Sequence, residues 1–256
     1  MSKNIWFDDL RAQQQALFET LNIKSSSVIE NQINVAIDAG EHGNTLAAIL
    51  NLNRIGLLRR DLSILETSNN HAYRALRRDL RNAKDQDGHF HGTRFELSVA
   101  AQLCLRGIGF TKQERPDFRV GELGIECTSC RKAGGKADAE TKFLEAIAKK
   151  NAKPYGEKSS ILKIDVTNLF FHDDLKEWQS LLDQLTNLAR AEVEKTKYGA
   201  IGIYLFRQSQ IRTYEIGYGF NIVIAKNAHT DVVAFLNQHY PNVGVTIPGP
   251  AIPKES

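Results

Sequence analysis

Three acids occupy positions where an ionised carboxylate is costly. Glu126 lies within the apolar run from Leu123 to Thr128, Leu-Gly-Ile-Glu-Cys-Thr. Asp117 follows Pro116 and opens the preceding extended stretch, nine residues before Glu126. Glu96 is surrounded by Phe95, Leu97, Val99, Ala100 and Leu103 in a run of helical texture. A carboxylate drawn out of water needs its charge compensated, and a divalent cation is one way to do it. Magnesium accepts one or two carboxylates and completes its octahedral shell with waters and a substrate phosphate. An ion held there lowers the pKa of a bound water and offsets charge on the phosphate. The plainer alternatives are a turn role for Asp117, an ion pair from Glu126 to Arg94, Arg106 or Arg131, and a solvent-facing Glu96.

The elements that must hold these acids are legible in outline. Residues 93–106 form a helix ending at Gly107, and residues 116–120 and 123–131 form two strands around a turn at Gly121-Glu122. A helix over 136–150, an apolar strand over 160–171 and an amphipathic helix over 173–195 follow. Then come strands over 199–206 and 214–224 and a short helix over 230–239. This order implies an α/β fold, a mixed sheet flanked by helices. Residues 1–88 carry apolar residues at helical spacing and form an all-helical region, with Ser25 to Ser27 capping its second helix. The polar segment Asp85-Gln-Asp-Gly88 is the expected boundary. The expected domains are therefore 1–88, for nucleic-acid binding or dimerisation, and 89–256.

A helix bearing Glu96, then Pro116-Asp117, then Glu126-Cys127-Thr128, then a helix and an apolar strand resembles the PD-(D/E)XK nuclease superfamily over residues 90–210. The resemblance implies a restriction-endonuclease-like core. It implies Asp117 and Glu126 as ligands of Mg2+ or Mn2+, with Glu96 as an auxiliary one. It also implies catalysis of phosphodiester hydrolysis. The third motif position is usually a lysine that orients or activates the attacking water, and here it is Thr128, which carries no charge at neutral pH. A replacement cation is expected from Lys142, on the following helix with Lys149, narrowly ahead of Lys132 on the strand.

Arg74, Arg77, Arg78 and Arg81 recur at spacings of three and four and form one basic helix face, suited to a nucleic-acid backbone or simply to solvent. His89 and His91 read as part of a polar hinge. Asp165 reads as a hydrogen-bond acceptor at a sheet end. Cys127 and Cys130 lie three apart on a strand, so they point to opposite faces and read as buried thiols rather than half a zinc site.

The bulk properties fit this picture. The chain has 256 residues, 42% hydrophobic, with a net charge of +3. That is mildly basic, which fits a nucleic-acid partner and equally fits many proteins that never touch one. No uninterrupted apolar run is long enough for a membrane helix, no leader peptide is visible, and three unpaired cysteines point to a reducing, cytoplasmic setting. The expected function is a metal-dependent endonuclease acting on DNA rather than RNA, in restriction, phage defence, repair or mobile-element processing. A homodimer suits double-strand cutting. The alternative is an inactive module of the same fold that binds nucleic acid or a protein.

Overall fold

The computed structural model describes residues 3–42, 45–130, 137–170, 178–208, 216–241 and 245–246. Its contacts divide the chain into two units. One comprises residues 1–109 with 207–217, and the other residues 110–206 with 218–256.

The first unit is built on five helices: α1 (Lys3–Leu21), α2 (Ser27–Glu41), α3 (Thr45–Ser68), α4 (Asn70–Asn82) and α5 (Asp87–Leu105). Their apolar stripes, including Leu17, Ile29, Ile33, Leu58, Leu62, Leu76, Leu80 and Phe95, are fully or almost fully buried. Ser26 caps α2 by accepting the N–H of Ile29 at 3.3 Å, and Asn69 caps α4 by accepting that of Ala72 at 3.1 Å. The expected boundary near residue 88 falls inside this unit, at the start of α5. The reason is bonding between segments 58 residues apart in sequence. Ser26 Oγ donates to the carbonyl of Lys84, and Asp85 Oδ1 accepts the Ser27 N–H at 2.8 Å, so the polar segment is stitched to the head of α2. His89 and His91 accordingly lie in α5 rather than in a hinge. His91 is buried, with Nε2 3.0 Å from Asp87.

The second unit holds a mixed sheet in the order β1-β2-β3-β4-β5-β6-β7. The strands are β1 (Thr111–Lys112), β2 (Phe118–Val120), β3 (Leu123–Ser129), β4 (Ser160–Asp165), β5 (Ala200–Gln208), β6 (Ile216–Ile224) and β7 (Val245–Thr246). The pairs β1–β2 and β2–β3 are antiparallel, whereas β3–β4, β4–β5 and β6–β7 are parallel. Parallel neighbours need crossovers. These contain α6 (Ala137–Asn151), then α7 (Thr167–Phe170) with α8 (Trp178–Val193), and α9 (Thr230–His239). Gly121 makes the β2–β3 turn at a positive φ of 56°, which a side chain would disfavour.

One sheet face packs on α6 and α8. Leu162, Ile164, Ile201 and Ile203 meet Phe143, Ile147, Leu185 and Val193 in a continuous apolar core. The expected strand over 160–171 stops at Asp165. Its Oδ1 accepts the Thr167 N–H at 3.0 Å and the Thr167 hydroxyl, and this local turn starts α7. Asp165 thus fills the sheet-end acceptor role expected of it. Cys127 and Cys130 are buried free thiols.

Candidate active site

The site is assembled where the antiparallel hairpin meets the first parallel strand. In the β2–β3 ladder Phe118 is level with Ile125, so Asp117 comes one step before the ladder begins, level with Glu126. Asp117 uses its side chain as a strand extension: Oδ2 accepts the Cys127 N–H at 2.7 Å. Its Oδ1 lies 3.8 Å from Lys112 Nζ, a lysine whose ammonium also sits 5.3 Å from the Phe118 ring.

Glu126 pairs in register with Leu162, which belongs to the core shared with α6 and α8. Its side chain is only 3% exposed. The Lys150 ammonium, from the last turn of α6, donates to Oε1. The Tyr155 hydroxyl donates to the same oxygen at 3.3 Å. The other oxygen, Oε2, is buried with no hydrogen-bond partner among the described residues. An acceptor left so is costly unless another group takes it.

Charge ties the group together. Burial pulls the Lys150 ammonium toward its neutral form, but the carboxylates of Asp117 and Glu126 outweigh this, and its pKa stands above the ordinary lysine value. One cation therefore feels both acids. Burial and the Glu126 charge raise the Tyr155 hydroxyl, and the same two causes raise Tyr198. Tyr198 is fully buried and donates to the Lys150 carbonyl at 3.3 Å, which fixes the end of α6 beside Glu126.

The expected residues divide clearly. Asp117 and Glu126 come together as neighbouring carboxylates. Thr128 lies two residues along the same strand, half-buried and level with Ile164. Lys142 donates to Glu145 Oε2 at 2.8 Å on its own helix, and Lys132 lies outside the described residues. The cation on Glu126 is instead Lys150. Glu96 is half-buried in α5 of the helical unit. The basic face of α4 is partly as expected. Arg74, Arg78 and Arg81 are exposed. Arg77 is half-buried, its Nε donating to the Thr20 carbonyl at 2.5 Å with its guanidinium over Tyr73, so it ties α4 to α1. Arg78 lies 3.1 Å from Asp79.

Lys150 carried a signal. Ala139, Phe143 and Ile147 are the buried positions of α6, and Lys150 continues that stripe three residues on. A lysine on the core-facing stripe at a helix end needs a buried acid. Lys142 and Lys149 lie off that stripe. Tyr155, Lys112 and Arg115 had no such signal, because they lie in short segments whose path is set by tertiary packing.

The donor set fits a divalent ion in kind. Two neighbouring carboxylates, one with an unclaimed buried oxygen, meet the protein share of a magnesium shell. Among the described residues no group of three or more His, Cys, Asp or Glu could hold a metal, so the rest of such a shell would fall to waters and substrate. Also among the described residues, no helix is long and apolar enough to cross a membrane. Comparison with protein-family models, curated proteins and solved structures gave no match.

Proposed function

We propose that the α/β unit has a restriction-endonuclease-like core and hydrolyses phosphodiester bonds, in DNA rather than RNA, with Mg2+ or Mn2+ as cofactor. The observation that carries the reading is the Lys150–Glu126 contact. A buried glutamate keeps one oxygen unclaimed while a lysine and a tyrosine hold the other, and Asp117 stands level with it on the neighbouring strand.

In this reading Asp117 and Glu126 hold the ion. When bound, the ion supplies a polarised water and offsets charge on the phosphate. Lys150 supplies the fixed cation that Thr128 lacks. An ammonium anchored on Glu126 donates through its remaining protons, so it can orient a water or meet the charge that builds on the phosphate oxygens. Tyr155 fixes the rotamer of Glu126, and the Tyr198 bond to the Lys150 carbonyl fixes the lysine's backbone. Glu96 keeps the auxiliary role only through the resemblance.

The test is nicking of supercoiled plasmid. The wild type should cut with Mg2+ or Mn2+ and not in chelator. Asp117→Ala and Glu126→Ala should each lower the rate by about a hundredfold or more, the scale of removing one transition-state-stabilising group. Cleavage that survives both substitutions, or a wild type inert on DNA and RNA with either ion, would overturn the reading. One observation favours the alternative of an inactive binding module: Lys150 already offsets the Glu126 charge, so folding needs no ion. Binding indifferent to metal and to both substitutions would establish that alternative.

A further inference from the structure

We infer that Arg115, held over the ring of Tyr155, which itself donates to Glu126, is a phosphate-binding arm that holds a polynucleotide backbone against the site. The identity of the anion rests on the nuclease reading; the arm itself rests on geometry.

Arg115 is exposed, in the segment between β1 and β2 and two residues before Asp117. Its guanidinium carbon sits 5.5 Å from the centroid of the Tyr155 ring. The opposite end of that tyrosine donates to Glu126. A single ring therefore spans from the guanidinium to the buried carboxylate, and the cation stands about one side chain from the atoms that would meet the substrate.

A cation–π contact uses none of the five N–H donors of a guanidinium as a hydrogen bond to an acceptor, and it leaves them for a planar or tetrahedral oxyanion. Among the described residues Arg115 has no ion pair and no hydrogen bond; the ring contact is its interaction. An exposed arginine normally gives up rotamer freedom only where something repays it. Here the ring holds the cation beside the site while its donors stay uncommitted. Lys149 and Lys153, at and just beyond the end of the helix that carries Lys150, likewise have no ion pair among the described residues. A neutral or cationic ligand would gain nothing from this arrangement. A phosphodiester backbone has a repeating anion, with one phosphate at the carboxylates and a neighbour within reach of the arm.

The experiment measures binding of a short labelled DNA duplex by fluorescence anisotropy, in chelator and across a potassium chloride series. The proteins are the wild type, Arg115→Ala, Arg115→Lys, Tyr155→Phe and the triple α4 variant Arg74→Ala/Arg78→Ala/Arg81→Ala. Arg115→Ala should weaken binding by about tenfold at low salt, the scale of one charged hydrogen-bonding contact. It should also lower the salt slope by about one. Arg115→Lys should keep the slope, because the charge is kept, and Tyr155→Phe should keep the affinity, because the ring is kept. In cleavage assays Arg115→Ala should raise KM with little change in kcat.

An unchanged slope and affinity in Arg115→Ala overturns the inference, as does a wild type that does not bind DNA or a slope that responds only to the α4 triple. The two readings fail separately. A wild type that binds with an Arg115-dependent slope yet never cuts sinks the nuclease and keeps the arm. A wild type that cuts equally well without Arg115 sinks the arm alone.

Discussion

Lys150 and Lys163 are both withdrawn from water in the same α/β unit, and they have opposite fates. Lys150 is 17% exposed at its side chain and meets Glu126, whose second oxygen is unclaimed. Lys163 is 1% exposed. It lies on β4 level with Cys127, on the face opposite Glu126. Its ammonium donates to the Tyr240 hydroxyl at 3.2 Å and sits 5.2 Å from the ring centroids of both Tyr204 and Tyr240. Phe220 stacks on Tyr204 at 5.2 Å and seals the cage. Cation–π attraction strengthens as water is excluded, so these rings serve in place of a carboxylate. Burial alone therefore does not mark a functional lysine. What sets Lys150 apart is an acid partner with an unclaimed oxygen and partial exposure to solvent.

The sharpest way to break this contrast is to remove each ammonium in turn. Lys150→Met should lower the cleavage rate by about 10²–10³-fold, the scale of losing one preorganised group aimed at transition-state charge. Lys163→Met should leave the rate of the folded protein unchanged. Because Lys150→Met strands a buried carboxylate, it should also cost stability, about 1–3 kcal/mol given its partial exposure. The double variant Glu126→Gln/Lys150→Met removes both charges. It should recover most of that stability, measured by urea unfolding, and none of the activity. Recovery of activity in the double variant would show that neither charge takes part in the reaction and that the pair only holds the fold.

Stability should order the two lysines the other way round. Lys163→Ala empties a fully enclosed cage and should cost about 2–4 kcal/mol, the range of large-to-small core substitutions. Lys163→Met keeps most of the volume, and removes a charge whose partners are neutral phenols. It should cost less than about 1.5 kcal/mol. Urea midpoints check both. Equal costs for the two would mean that the ammonium, which both substitutions remove, and not the volume, holds the cage.

The hairpin acids and the helix–strand order were legible because apolar periodicity and Pro-Asp punctuation are local. Ser160 to Asp165 read as a strand for the same reason, but its end did not. Residues 166–170 are apolar enough to continue it, and only the Asp165–Thr167 bond turns them into α7. The unit boundary was misplaced for a similar reason: Asp85 looked like a linker because its partner, the Ser27 N–H, is 58 residues away. Lys150 was half legible, through the stripe of Ala139, Phe143 and Ile147. The Lys163 cage was not, since a lysine between Leu162 and Ile164 looks no different in sequence from one reaching solvent. Its rings come from β5 and from the end of α9, which only the folded sheet brings together.

The smallest effects separate the two tyrosine hydroxyls. Tyr240→Phe removes the acceptor of the Lys163 ammonium while both rings stay in place. A hydrogen bond to a buried charge contributes about 1.5–3 kcal/mol, and the retained ring attraction trims the loss, so about 1 kcal/mol is expected. Catalysis should be untouched, because the lost group faces away from Glu126. Tyr155→Phe removes a longer, half-exposed bond from an oxygen that Lys150 still holds. Its cost should fall below about 0.5 kcal/mol, as for solvent-accessible polar contacts. Yet it should slow cleavage several-fold with KM unchanged, because Glu126 gains rotamer freedom in the step where its placement counts. Paired urea melts and initial-rate measurements read both quantities from the same preparations. If Tyr240→Phe slows cleavage while Tyr155→Phe lowers only stability, the two faces of β3 and β4 have been assigned the wrong way round.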